Sequence, residues 1–195
     1  MTISDPETED RLRRGFKVFN YFMVVLWRLG LGGWVNLSPR VGGQILVITH
    51  KGRNSSKQYR TPVNYAVVND EVYCTAGFGS KADWYRNILA NPQVELWMPD
   101  GWWVGTAEDA SSHPQAKEIL RQVLIASGFV SRLFDLDPQT MRPEELEELL
   151  KTYRIVRLRP SAARTGKDGP GDLAWIWPLS TFLLLFMVLF KKKRR

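Results

Sequence analysis

Between Phe16 and Leu31 apolar side chains recur with helical spacing but are interrupted by Lys17, Asn20 and Arg28. The pattern predicts an amphipathic helix, prefaced by a polar start over Asp5 to Arg14 and stopped at Gly30, Gly32 and Gly33. Such a helix can pack on a core or lie on a membrane surface. The middle of the chain has the shorter period of strands. Gln44 to Thr49 is an unbroken apolar, β-branched run. Arg60 to Val68 alternates in part, and Asn69-Asp70 marks a turn before a strand over Glu71 to Ala76. Val94 to Met98 and Trp102 to Ala107 flank Pro99-Asp100-Gly101, a hairpin signal. Asp83 can cap the helix WYRNILA, which Asn91-Pro92 ends. Pro114 to Ser127 and Pro143 to Lys151 predict two further helices, and Tyr153 to Leu158 a last strand. Short strands with a few helices predict a small antiparallel barrel with helices packed on it, an α+β chain that is mainly β.

The C-terminal segment sets different limits. Ser161 to Asp172 reads as a linker, and Leu173 to Phe190 has no charged residue in 18 positions. As a helix it would be roughly 27 Å long, near the thickness of a bilayer core. Trp175 and Trp177 stand at one end and KKKRR at the other, the arrangement of a membrane helix. The expected organisation is an N-terminal helix over 1–33, a barrel domain over 34–160, a linker over 161–172, a membrane helix over 173–190 and a basic tail over 191–195. The basic end favours the cytoplasmic side. The opening residues, MTISDPETEDRLRR, lack a signal-peptide pattern. A shallow or re-entrant anchor, or late insertion of the tail, reconciles these signals and places the domain at the membrane, on its cytoplasmic face.

Composition changes this picture in two ways. The net charge of +7 is local: without KKKRR the chain has 22 cations against 20 anions, which argues against a nucleic-acid-binding face. One cysteine, Cys74, excludes a disulfide framework within the chain, and two histidines with one cysteine offer no metal-ligand cluster.

Candidate chemistry lies in two stretches. HKGRNSSKQYRTPVNY, residues 50–65, follows the first strand. Arg53, Lys57 and Arg60 supply cationic donors and Ser55 and Ser56 hydroxyls, while free backbone N–H groups near Gly52 can form an anion nest. The set suits a phosphate or several carboxylates, although a solvated basic hairpin has the same composition. GFGSKADWYRNILANP then places glycines and Ser80-Lys81 before a helix start, where N–H groups can approach a flat ring or an anion. Trp84 and Ile88, four apart, have the spacing of core anchors.

Together with RLGLG at 28–32, GRNSSKQYRTPVNY at 52–65 and AGFGSKADWYRNILANPQVEL at 76–96, the chain resembles the deazaflavin-dependent nitroreductase family, also called deazaflavin-dependent quinone reductases, from about Phe19 to about Ala107. The resemblance implies a split β-barrel like that of FMN-binding barrels. It also implies binding of coenzyme F420, an 8-hydroxy-5-deazaflavin hydride carrier with a phospholactyl and polyglutamate tail. On that reading Lys51, Arg53, Ser55, Ser56, Lys57 and Arg60 hold the tail. Thr61, Pro62 and Val63 border the ring. Gly77, Phe78, Gly79, Ser80 and Lys81 offer donors to it, and Trp84, Tyr85 and Asn87 complete the pocket. Ser56 stands where the family often has glycine. The family's better-known members carry substrate-facing tyrosines near the C-terminus. In GFVSRLFDLDPQTMRPEELEELLKTY the one tyrosine is Tyr153, read as the start of a strand, so no substrate-protonating residue carries over, and Phe129 and Phe134 could line a substrate pocket.

The implied reaction is hydride transfer to a flat, electron-poor acceptor, a quinone such as menaquinone or a nitroaromatic. Lys81 or Tyr85 would stabilise charge or supply a proton. Two alternatives remain open: an FMN-binding barrel, and a non-catalytic carrier of cofactor or lipid. A homodimer is compatible with the sequence.

Overall fold

The structure, a computed structural model, describes residues 6–36, 43–128 and 137–191, with the backbone alone for residues 6–13. Its elements in chain order are α1 (Pro6–Arg28), α2 (Gly32–Val35), β1 (Ile45–Lys51), β2 (Gln58–Val68), β3 (Glu71–Ala76), a 3-10 turn (Gly79–Lys81), α3 (Asp83–Ala90), β4 (Gln93–Met98), β5 (Gly101–Asp109), α4 (Ala116–Ala126), α5 (Pro143–Thr152), β6 (Arg154–Ala163) and α6 (Ile176–Lys191). All strand pairs are antiparallel, and the six strands close a barrel in the order β1-β2-β3-β6-β5-β4. Closure between β1 and β4 is short, with only Val47, Ile48 and Thr49 opposite Trp97, Leu96 and Glu95. This is the split barrel with surrounding helices that the strand pattern and the resemblance imply.

Three apolar layers follow from the alternation of each strand. Leu46 and Ile48 of β1 point into the barrel with Val63, Tyr65, Cys74, Leu96, Val156 and Leu158. Val47, between them, points outward and packs with Trp27 of α1, Trp97 and Trp102. Both faces of β1 are thus covered and six consecutive residues are buried, so its sequence is an apolar run without alternation. Outside β2, β3 and β6, the residues Ala66, Tyr73 and Ile155 meet Ile119, Leu120 and Val123 of α4 and Leu146 of α5. One end of the barrel is plugged by α3, whose Tyr85 and Ile88 enter the interior cluster. Asn69 and Asp70, at φ 51° and 63°, make the left-handed two-residue turn that a β2–β3 hairpin needs.

Three expectations need correction. The N-cap of α3 is Ala82, with no side-chain bond, and Asp83 lies in the first turn, its carboxylate drawn to Arg53. Alternation stops at Leu158, but β6 continues to Ala163 because β5 still offers partners there, past an irregularity at Val104/Gly105 that accommodates Pro160. The linker therefore begins at Arg164. It is held against the body: Arg164 stacks on Trp102 and pairs with Glu95 at 2.9 Å, and Asp172 pairs with Arg28 at 2.6 Å.

The third correction concerns the expected membrane span over 173–190. The N–H of Leu173 donates to Arg28 O and that of Ala174 to Gly171 O, so these residues turn onto the end of α1. The helix starts only at Ile176 and has 16 residues, roughly 24 Å. Among the described residues, no helix is long and apolar enough to cross a membrane. No α6 residue is buried.

Candidate functional site

The β1–β2 hairpin and α3 meet at the plugged end of the barrel, and there the two stretches singled out in the sequence come together. In the hairpin turn the N–H of Gly52 donates to Lys57 O at 3.0 Å and that of Ser55 to Gly52 O at 3.3 Å. A Cβ at Gly52 would lie 2.7 Å from Ser55 Oγ and 2.8 Å from the Tyr59 ring, so the turn needs glycine for room. Arg53 reaches across to α3. Its backbone N–H and its Nη1 both donate to Asn87 Oδ1, at 3.1 and 3.0 Å, and its Nη2 donates to Asp83 Oδ1 at 2.9 Å. The backbone N–H groups of Gly52, Arg53 and Ser55 are thus engaged internally and not offered to an anion.

Beside this junction opens a cleft of about 1450 Å³. Of the residues named from the sequence, Arg53, Ser55, Arg60, Thr61, Pro62, Val63, Gly77, Phe78, Lys81, Trp84 and Asn87 line it. Lys51, Ser56, Lys57, Gly79, Ser80 and Tyr85 do not. Lys51, Ser56 and Lys57 are exposed outside this lining. Gly79 is buried at φ 56°, where a Cβ would lie 2.0 Å from Thr152 O; it lets the Gly-rich loop rest on the end of α5. Tyr85 is buried in the barrel interior, 4% exposed, and burial with the nearby Asp109 carboxylate pushes its phenol up. It is therefore placed for packing rather than for chemistry in the cleft. Phe129 and Phe134 lie outside the described residues.

Arg60 is shared. Its guanidinium sits 5.1 Å from the centre of the Trp97 ring, and its Nη2 donates to Asp168 O in the linker at 2.8 Å. The Gly-rich loop likewise spends the N–H groups of Lys81 and Ala82 on Phe78 O and Gly79 O.

Among the lining to which sequence reasoning gave no role are one wall and two side chains. The wall is α1, which contributes Arg14, Phe16, Lys17 and Asn20. Tyr153, at the junction of α5 and β6, lies over Gly77 and lines the cleft; burial pushes its phenol up, so it stays protonated. His50 is 3% exposed and stacks on Tyr59 with centroids 5.9 Å apart. Its Nε2 is 3.0 Å from Thr61 Oγ1 and its Nδ1 3.4 Å from Asn87 Nδ2. Burial lowers its pKa to about 4, so the imidazole is neutral at pH 7. No spacing signal marks a histidine inside an apolar strand as part of a site.

The electrostatics of the cleft are one-sided. Arg14, Lys17, Arg53, Arg60 and Lys81 line it against a single acidic residue, Asp83. Aromatic and aliphatic groups (Phe16, Phe78, Trp84, Tyr153, Pro62 and Val63) supply flat apolar walls.

Similar proteins are remote in sequence. No curated protein matches the chain. Among solved structures, an F420-H2 dependent reductase, FDR-A, is 16% identical, with 59% of this chain and 93% of that one covered and a TM-score of 0.42. A conserved hypothetical protein from Mycobacterium tuberculosis is 18% identical over 73% of this chain and 84% of that one, TM-score 0.44. The heme storage protein HutZ from Vibrio cholerae is 12% identical over 71% and 94%, TM-score 0.44. These likenesses are too distant to carry any property across. The sequence itself is more decisive. The matched stretch, residues 32–132, is just over half of the chain and takes in the hairpin turn, the Gly-rich loop and α3, the segments that build the cleft; through it the chain belongs to the F420H(2)-dependent quinone reductase family.

Proposed function

We propose that this chain binds coenzyme F420 in the cleft and catalyses transfer of hydride from the reduced cofactor to a quinone. The observation that supports this most directly is the pairing of flat apolar walls with five cationic side chains in one cleft. When bound, the deazaflavin supplies the hydride; the protein's work is orientation and exclusion of water. Arg14, Lys17 and Arg53 attract and hold the acidic tail. Phe78, Trp84, Pro62 and Val63 flank the ring. Lys81 stabilises negative charge growing on the acceptor oxygen. Tyr153 donates the proton that completes the hydroquinone and regains one from solvent. Hydride plus that proton account for both electrons and both hydrogens gained by the quinone.

The test is anaerobic mixing of the full chain with reduced F420 and menaquinone, following the absorbance of the oxidised cofactor as it returns. Turnover is expected. No oxidation with any quinone or nitroaromatic would leave a non-catalytic carrier as the reading, and tight FMN binding with no F420 binding would favour the FMN-binding alternative.

We also propose that α6 lies in a lipid surface without crossing it. A helix that is apolar on all sides calls for an apolar surrounding, and Phe182 to Phe190 are exposed throughout. Lys191 and the basic residues after it suit anionic headgroups. A lipid-soluble quinone would be met at that surface. Flotation of the full chain with anionic vesicles is the check: the unmodified protein floats and Leu184→Asp/Met187→Asp does not. Equal flotation of both removes the proposal.

A further inference from the structure

A buried chain of hydrogen bonds beside the cleft has its directions fixed at one end by Arg53. The two donors that Arg53 places on Asn87 Oδ1 prevent that amide from turning over, since its NH2 group would then face two N–H donors. Asn87 Nδ2 is therefore the atom that faces His50, 3.4 Å from Nδ1. A donor there requires Nδ1 to be bare. A neutral imidazole then has its proton on Nε2, which donates to Thr61 Oγ1 at 3.0 Å. Having accepted, the hydroxyl retains its own proton to give. Thr61 lines the cleft, and the structure gives its hydroxyl no other partner.

We infer that Arg53, Asn87 and His50 form a positioning relay that presents the Thr61 hydroxyl to the cleft as a hydrogen-bond donor, and links it to the arm that receives the ligand's anionic end. Thr61 touches the ligand; His50 and Asn87 act through it. The relay is rigid. His50 stacks on Tyr59 and is almost fully buried, Asn87 is 6% exposed, and a protonated His50 would set two donors face to face. A hydroxyl held in this way selects a ligand that offers an acceptor at that point, such as a ring carbonyl oxygen or an unprotonated ring nitrogen. It disfavours one that offers N–H or O–H there. The identity of the ligand rests on the proposed function; the bond directions do not.

Two measurements test this. The first is ¹⁵N NMR of the unliganded full chain with labelled histidine. The expected result at pH 7 is a neutral His50 with Nε2 protonated and Nδ1 bare; a protonated Nδ1, or an imidazolium, overturns the relay. The second is equilibrium binding of coenzyme F420 to the unmodified chain, T61S, T61V, H50F and T61V/H50F. Loss of one neutral hydrogen bond predicts affinity about tenfold weaker in T61V. Affinity is expected to be retained in T61S, similarly weakened in H50F, and no weaker in the double variant than in either single one. Full affinity in T61V overturns the inference. Should H50F fail to fold, T61V against T61S decides alone. If the unmodified chain binds no F420, the proposed function fails, and the NMR result still confirms or refutes the bond directions.

Discussion

His50 gives the folded chain an acid limit that can be measured. Its pKa is about 4 when folded and near 6.5 when unfolded, so between those values the unfolded chain binds more protons. Stability is therefore fully present above about pH 6.5 and declines as pH falls toward 4, by roughly 3 kcal/mol from this group. Urea unfolding of the wild type and of His50→Gln at several pH values isolates the effect, because the carboxylates contribute alike to both. A difference between the two proteins that does not change with pH would contradict a buried neutral imidazole. Tyr153 makes a separate prediction. If Tyr153 donates the proton as proposed, Tyr153→Phe should lower turnover by roughly a hundredfold and leave F420 affinity unchanged. Parallel losses in turnover and affinity would reassign Tyr153 to binding.

At the level of elements, the loop before α3 depends on one backbone position. Gly79 combines φ 56° with a carbonyl where a Cβ would stand, so Gly79→Ala should cost at least about 2 kcal/mol, read as a lower urea midpoint. An unshifted midpoint would mean that the loop and the end of α5 separate freely. The same loop shows what a sequence can and cannot convey. The glycines and the helix start after them were legible, since turn chemistry is local. Which of those residues face the cleft was not: Ser80 and Lys81 are neighbours, yet only Lys81 lines it. In the basic hairpin the cationic composition was plain, but which cations reach the cleft was not: Arg53 and Arg60 are in its lining, and the exposed Lys51 and Lys57 are not. Hairpin facing depends on register with a distant strand. The wall from α1 is a long-range contact and leaves no local trace. The strand β6 outran its alternating pattern because its last residues answer to β5 rather than to a buried face. The apolar C-terminal stretch had the composition of a span, and its first residues were taken by bonds to α1.

At the scale of the molecule, the cleft is a region of positive potential. Its five cations against one acid predict that F420 affinity falls as salt rises from about 50 mM to 500 mM, as screening shortens from over 10 Å toward a few ångströms. Titrations over that range would show it, and salt-independent affinity would place the tail away from these side chains. The linker connects this region to the rest: Asp168 O holds Arg60, and four residues later Asp172 holds Arg28 at the root of α6. The charged lining and the apolar helix are thus attached to one short segment.

Finally, among the described residues the ring of strand pairings returns to its starting strand, and open backbone edges are confined to where it is split, along Gln58–Asn64 of β2 and the ends of β1. A neighbouring molecule finds only short, interrupted ladders to extend, which disfavours growth of stacked filaments by strand addition. Crowding at high concentration should instead bring the greasy C-terminal rods together, and mild detergent, rather than denaturant, should be enough to disperse the clusters.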